Sequence, residues 1–148
     1  RENEGDLCMA AETLPADLRR AVTGRKVLNA YGHGGYGIQS RAQNDPAAAT
    51  RKFAHPVLPR HPDTKREILY VNSLMSVAIE GLPDDESEDL LTKLFDHAEN
   101  PDFRFTHKWR QGDVLLWDNR CTIHARTDFD KTQTRHLRRF SIRGDAAA

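Results

Sequence analysis

The stretch HKWRQGDVLLWDNRCTIHARTDFDKTQTRHLRRFSIRG, residues 107–144, decides the fold of this chain. It holds three apolar-rich runs, Val114–Trp117, Cys121–His124 and Leu137–Ile142, with polar residues between them. Short apolar runs separated by turn signals are typical of antiparallel strands. Helices and loops precede these runs, and strands that follow helices favour an α+β, mainly β fold with an antiparallel sheet.

Upstream of this stretch, four segments carry clear secondary-structure signals. Asp84–Ala98 has leucines at helical spacing and acidic residues in its first turn, so it predicts a helix. Residues 14–23 predict a short helix, and Lys26–Tyr31 and Ile68–Asn72 predict strands. The polar segment Arg41–Lys52 predicts a loop.

Composition limits the class of protein. The 148 residues suffice for one domain with a core, and 22 Lys+Arg balance 22 Asp+Glu. Zero net charge argues against nucleic acid or an anionic membrane surface as the main partner. The two cysteines, Cys8 and Cys121, lie far apart and outside any C-x-x-C motif. We therefore expect two reduced, buried thiols in a cytoplasmic protein.

Charge is distributed unevenly along the second half of the chain. Asp84–Asp102 holds eight acidic residues and one lysine, whereas Phe103–Arg143 holds ten Lys/Arg against four Asp, an excess of 10 − 4 = 6. A basic, concave site at this end of the chain would suit a small anionic molecule.

His124 is the candidate metal ligand. It follows an apolar run and a polar turn, Asp118, Asn119 and Arg120, whose side chains we expect to hydrogen-bond one another. Imidazole suits iron, zinc and copper alike. On the residues alone, a core histidine with satisfied hydrogen bonds remains an equal alternative.

Arg135 and Arg139 are the candidate anion-binding residues. Their spacing of four places both on one face of a strand, with Leu137 between them. Arginine binds a carboxylate bidentately, so two guanidinium groups in one concavity attract an anion. The alternative is a solvated basic edge strand, which the apolar Phe140 and Ile142 disfavour.

Two further motifs match known spacings only weakly. Gly32, Gly34 and Gly37 have the G-x-G-x-x-G spacing, but no βαβ pattern surrounds them, so we interpret them as a glycine-rich loop. His61-Pro62-Asp63 has the H-x-D spacing of two ligands of an iron facial triad. Its proline favours a surface turn instead.

The sequence GDVLLWDNRCTIH at 112–124, followed by Arg135 and Arg139, resembles the C-terminal end of the taurine dioxygenase/2,4-D dioxygenase (TauD/TfdA) family. HPVLPRHPDTKREILYVN at 55–72 and MAAETLPADLRR at 9–20 resemble segments further upstream in that family. The resemblance implies a double-stranded β-helix, the cupin-like jelly roll, with flanking helices. It also implies that residues 1–148 form the C-terminal portion of a single such domain, which is incomplete in this chain.

The resemblance assigns roles to individual residues. His124 matches the distal Fe(II) ligand, and Arg135 matches the arginine that binds the C5 carboxylate of 2-oxoglutarate. Arg139 matches the arginine that faces the substrate's anionic group or the C1 end of the cosubstrate. His61-Pro62-Asp63 matches the family's H-P-x-T turn, whereas the family's H-x-D iron motif precedes the segment that matches residue 1.

The function implied is a dioxygenase that uses Fe(II), 2-oxoglutarate and molecular oxygen. It would hydroxylate a small anionic substrate, such as a sulfonate, carboxylate or aryloxyalkanoate, and release succinate and CO2. Variable loops such as Tyr31–Ala54 would select the substrate. The alternative is a non-catalytic jelly-roll module that binds small anions or assembles with partners, including a homo-oligomer. A zinc cupin hydrolase would need a further histidine pair, which the sequence does not offer.

Overall fold

The computed structural model describes residues 2–31, 51–127, 130, 132, 134 and 136–142. In these residues, two three-stranded antiparallel sheets and three α-helices surround one apolar core. The elements in chain order are β1 (Glu2–Asp6), α1 (Leu7–Glu12), α2 (Ala16–Val22), β2 (Lys26–Tyr31), β3 (Arg51–Pro56), β4 (Ser76–Ile79), α3 (Asp84–Ala98), a 3-10 turn (Pro101–Phe103), β5 (Arg104–His107) and β6 (Thr122–Arg126). No described helix is long and apolar enough to cross a membrane.

The first sheet has the order β5-β1-β6, so β1 lies at its centre. Asp6 ends β1 and also caps α1, because its carboxylate accepts hydrogen bonds from the backbone of Cys8 (2.8 Å) and Met9 (3.0 Å). The Leu7 N–H donates to the carbonyl of Cys121 (3.0 Å). Strand and helix are thus joined without a loop, and both adjoin the residues that lead into β6.

The second sheet has the order β3-β2-β4 and packs against α3. Pro56, which has no N–H to donate, ends the edge strand β3, where that loss is tolerated. Leu91 and Leu94 of α3 are fully buried in the core. The buried hydroxyl of Ser87 accepts a hydrogen bond from the Ile79 N–H (2.8 Å) and so ties α3 to β4.

Several sequence predictions are confirmed. The helix Asp84–Ala98 and the strand Lys26–Tyr31 have the predicted bounds, and α2 lies within residues 14–23. The α+β class is also confirmed. The predicted loop Arg41–Lys52 extends too far, because Arg51 and Lys52 belong to β3. Its remainder, like the glycines at 32, 34 and 37, lies outside the described residues.

The predicted strand Ile68–Asn72 is wrong. Ile68, Leu69 and Val71 are buried as a strand's residues would be, but no regular ladder forms. The backbone N–H groups here donate to two separate segments: Ile68 and Tyr70 donate to Pro59 and Val57, and Leu69 donates to Leu7. The segment is buried and hydrogen-bonded to neighbouring segments, but it belongs to neither sheet.

The predicted strands Val114–Trp117 and Leu137–Ile142 do not form among the described residues, since no described strand pairs with either. Val114, Leu116, Phe140 and Ile142 are 83–93% exposed. The middle run, Cys121–His124, is confirmed as a strand with its bounds shifted to Thr122–Arg126. A β-strand requires a partner for its backbone groups, and an apolar pattern alone does not supply one.

We expect Ser87→Ala to lower the free energy of unfolding by about 1–3 kcal/mol, because it leaves the buried Ile79 N–H without an acceptor. Thr92→Ala is the control, since Thr92 is an exposed hydroxyl on the same helix. Its effect should stay within about 0.5 kcal/mol. Urea denaturation of both variants gives the comparison, and equal effects would contradict the role given to Ser87.

Candidate functional site

His124 lies on β6, at the edge of the first sheet. Its ring is exposed, and it stands opposite Glu4 of β1 in the strand register. Directly opposed residues of antiparallel strands share a face, so the Glu4 side chain, 7% exposed, lies on the same side. The Trp117 ring is 5.2 Å from the His124 ring, centroid to centroid. His124 is therefore an exposed imidazole that shares a sheet face with Glu4 and contacts the Trp117 ring.

The polar turn before β6 is held by its own side chains, as predicted. Both carboxylate oxygens of Asp118 bind the guanidinium of Arg120, the shortest contact being 2.6 Å. The Arg120 N–H also donates to this carboxylate (2.9 Å). The Trp117 indole donates to Asn119 (2.9 Å). The side-chain hydrogen bond from Arg120 holds the pKa of Asp118 well below its usual range.

His61 binds the same carboxylate from the other side. The residue is 4% exposed, and its Nε2 lies 3.0 Å from Oδ2 of Asp118. Its Nδ1 accepts hydrogen bonds from the backbone N–H groups of Asp63 (3.3 Å) and Thr64 (3.2 Å). Because Nδ1 is an acceptor, the ring hydrogen resides on Nε2, which donates to Asp118.

The prediction of a turn at His61-Pro62-Asp63 is confirmed, but its placement on the surface is wrong for His61. Asp63 itself is exposed, and its carboxylate binds Arg120 at 2.9 Å. The histidine and the aspartate thus have different partners and do not form a chelating pair. The sequence signal that could have shown this is a histidine placed two and three residues before N–H groups that need an acceptor.

His61, Asp118 and Cys121 are the one group of three potential metal ligands among the described residues, with ligand atoms within 4.8 Å of one another. Two contacts argue against a metal ion there. A metal on Nε2 of a neutral ring would require the hydrogen on Nδ1, which already faces two N–H donors. The guanidinium of Arg120 adds a positive charge at Asp118. The group is a hydrogen-bonded connection between two turns.

Both cysteines are free thiols, as predicted. Cys8 is buried and Cys121 is half-buried, and the Cys121 thiol donates to the carbonyl of Asp118 (3.8 Å). Burial raises the pKa of Cys121 to about 11 and also raises the pKa of Cys8. Both groups are therefore protonated at neutral pH.

The structure describes only one of the two predicted anion-binding arginines. Arg135 lies outside the described residues, so its place near His124 stays a prediction. Arg139 is exposed, within residues 136–142, which form no described strand. The shared face of the two arginines is therefore not observed. Arg138 is exposed as well, so the described end of the chain presents positive charge to solvent.

A comparison with protein-family models gives the class of protein to which this fold and site belong. The family model described as "Taurine catabolism dioxygenase TauD, TfdA family" matches residues 6–141. The chain belongs to this family. The resemblance found in the sequence is thereby confirmed.

Individual relatives narrow the comparison. The chain is 32% identical to an α-ketoglutarate-dependent 2,4-dichlorophenoxyacetate dioxygenase of Cupriavidus pinatubonensis, covering 95% of this chain and 49% of that protein. It is 34% identical to an (S)-phenoxypropionate/α-ketoglutarate dioxygenase of Sphingobium herbicidovorans, covering 97% and 52%. A crystal structure of a taurine dioxygenase from Burkholderia xenovorans superposes with a TM-score of 0.69 at 32% identity, covering 83% and 39%. The chain spans about half the length of these curated relatives.

We expect Asp118→Asn to lower stability at pH 7 by about 1–2 kcal/mol, because its amide would face two donors, His61 and Arg120. The pKa of Asp118 is depressed on folding, so the ionised group stabilises above the unfolded pKa of about 3.9. That stabilisation is lost as the pH falls below this value.

The variant should therefore lose less stability than the wild type between pH 7 and pH 3 in urea denaturation. Asp102→Asn, at an exposed carboxylate, is the control. A wild type and an Asp118→Asn variant with parallel pH dependence would contradict the assignment.

Proposed function

We propose that this protein is an Fe(II)- and 2-oxoglutarate-dependent dioxygenase that hydroxylates a small anionic substrate. The observation that carries the proposal is His124, an accessible imidazole placed on β6 directly after an anchored turn, in a chain of this family. When bound, iron and 2-oxoglutarate supply the oxidation of a C–H bond by oxygen, with release of succinate and CO2. The protein's own residues supply binding and orientation.

The donor set fits one ligand of an iron site. Imidazole nitrogen suits Fe(II), and a facial triad needs two more protein ligands. Among the described residues, His124 belongs to no group of three potential ligands. We therefore propose that residues 1–148 form the C-terminal portion of one jelly-roll domain. The other two ligands would come from the portion of the domain that corresponds to the unmatched part of the relatives.

The exposed apolar residues support this division of the domain. Val114 and Leu116 alternate with other residues as on a strand face, and so do Phe140 and Ile142. Exposed rows of this kind mark surfaces that another polypeptide covers. Strands contributed by the rest of the domain would pair with both runs and bury them.

Charge supports an anionic substrate and cosubstrate. We assign Arg135 to the C5 carboxylate of 2-oxoglutarate and Arg139 to the anionic group of the substrate. The two curated relatives are named for 2,4-dichlorophenoxyacetate and (S)-phenoxypropionate, both of them carboxylates. An aryloxyalkanoate or another small carboxylate or sulfonate is accordingly the proposed substrate class. The free thiols are in keeping with a cytoplasmic location.

A non-catalytic module that binds small anions or assembles with partners is the second candidate, favoured because no two further potential ligands accompany His124 among the described residues. The two candidates differ in turnover. Succinate formation with Fe(II) and 2-oxoglutarate, assayed in the protein that carries the complete domain, supports the dioxygenase. Anion binding without succinate supports the module.

We expect His124→Ala to remove metal binding from the complete domain, because a triad reduced to two ligands holds Fe(II) weakly. Metal content after gel filtration and succinate formation are the two measurements. His136→Ala is the matched control, since His136 is another exposed histidine. Unchanged metal stoichiometry in His124→Ala would refute the ligand assignment.

We expect Arg135→Ala and Arg139→Ala to affect different KM values. The first should raise the KM for 2-oxoglutarate by at least about tenfold, since a charge-assisted hydrogen bond contributes roughly 1.5–3 kcal/mol. The second should raise the KM for the organic substrate instead. Arg138→Ala is the control, because Arg138 is an exposed arginine next to Arg139 to which neither role is assigned. A rise in the same KM for both variants would reject the separate roles.

A further inference from the structure

Two turns that are distant in sequence are joined at the base of β6. The first is the His61 turn, residues 61–66, and the second is the polar turn, residues 117–120. We propose that His61 is a positioning residue, which fixes Asp118 and through it the start of β6, and so sets the orientation of His124. This inference rests on the proposed function of His124 as a metal ligand.

The His61 ring is held rigidly by its own turn. The His61 N–H donates to the carbonyl of Arg66 (2.8 Å), and the Lys65 N–H donates to the carbonyl of His61 (2.9 Å). Lys65 adopts a left-handed backbone, with φ of 62°, which closes the turn tightly. Because Nδ1 also accepts two N–H groups of this turn, the turn itself fixes the ring orientation, and the Nε2–H bond points toward Asp118.

Asp118 transmits this constraint to the strand. Its backbone carbonyl accepts hydrogen bonds from the Cys121 N–H (3.2 Å) and from the Thr122 hydroxyl (2.8 Å). Thr122 is the first residue of β6 and shares a strand face with His124, two residues later. The neighbour of Asp118, Trp117, contacts the His124 ring directly. Both routes from His61 to His124 pass through this one turn.

The buried link should matter more than the exposed link between the same turns. Arg120 also joins the turns through Asp63, but its side chain is 49% exposed and that of Asp63 is 71% exposed. Water screens such a pair, so it contributes little. The hydrogen bond from His61 to the Asp118 carboxylate is charge-assisted, and the His61 side chain is only 5% exposed.

Two substitutions separate positioning from local folding. In His61→Asn the side-chain oxygen occupies the place of Nδ1 and still accepts from the turn, but nothing reaches Asp118. In His61→Gln the amide nitrogen lies as many bonds from Cβ as Nε2 does, so donation to Asp118 is kept and the acceptor for the turn is lost. Both variants are made in the protein that carries the complete domain. Mn(II) is the probe, with affinity measured by electron paramagnetic resonance and stability by the midpoint of thermal unfolding.

We expect His61→Asn to weaken Mn(II) binding by roughly 10–100-fold, the effect typical of partners that orient a metal ligand. It should also lower the unfolding midpoint, because the Asp118 carboxylate loses a donor. His61→Gln retains the orienting hydrogen bond, so its Mn(II) affinity should stay within about threefold of wild type. It should also lower the unfolding midpoint, because two backbone N–H groups of the turn lose their acceptor. Any result in which His61→Asn binds Mn(II) as tightly as His61→Gln overturns the inference.

The control and the parent hypothesis are tested in the same assay. Asp63→Asn removes the exposed link alone and should change Mn(II) affinity by less than about threefold, since such exposed ion pairs are worth little. If His124→Ala binds Mn(II) as the wild type does, the proposed function fails whatever His61 does. If His124→Ala loses Mn(II) and His61→Asn does not, the positioning role alone fails.

Discussion

The carboxylate of Asp118 is the constraint on which the site depends. A carboxylate that is partly removed from water destabilises the fold unless its oxygens are hydrogen-bonded, and here a guanidinium, a backbone N–H and an imidazole N–H all donate to it. Those donors come from two turns, so satisfying one charge also fixes the distance between the turns. The strand that presents His124 begins where this requirement has been met.

At the junction of β1 and α1, a single carboxylate again connects two elements. Asp6 belongs to the strand and caps the helix, and the next residue hydrogen-bonds to Cys121, at the base of β6. Gly5 faces Ile123 so closely that an added Cβ would lie 3.0 Å from the isoleucine side chain. The small size of Gly5 therefore lets β6, the strand of His124, lie against β1.

Patterns that are satisfied locally could be predicted from the sequence. The leucine spacing of α3 and the polar turn at 118–120 both depend on nearby residues, and both were found. Among the strands, which depend on distant partners, Lys26–Tyr31 was predicted, but others were not. Glu2–Asp6 has no apolar alternation and becomes a strand only because β5 and β6 flank it. Val114–Trp117 and Leu137–Ile142 have the alternation but lack a described partner.

The candidate site divides in the same way. His124 could be found because an apolar run and a turn precede it, whereas His61 was missed because its partner Asp118 lies 57 positions away. The roles of Arg135 and Arg139 depend on the family resemblance and on residues beyond those described. Spacing shows which face a side chain takes, but not what stands opposite it.

The central position of β1 has a consequence for the order of folding. Glu4 pairs with His124, 120 positions (124 − 4) further along the chain, and Glu2 pairs with His107, 105 positions (107 − 2) further. A sheet with such high contact order forms slowly, because a long loop must close before any pairing is rewarded. During synthesis from the amino terminus, β1 must wait for nearly all of these residues to be translated. The face that carries His124 therefore assembles only after α3 and the sheet β3-β2-β4 have been translated.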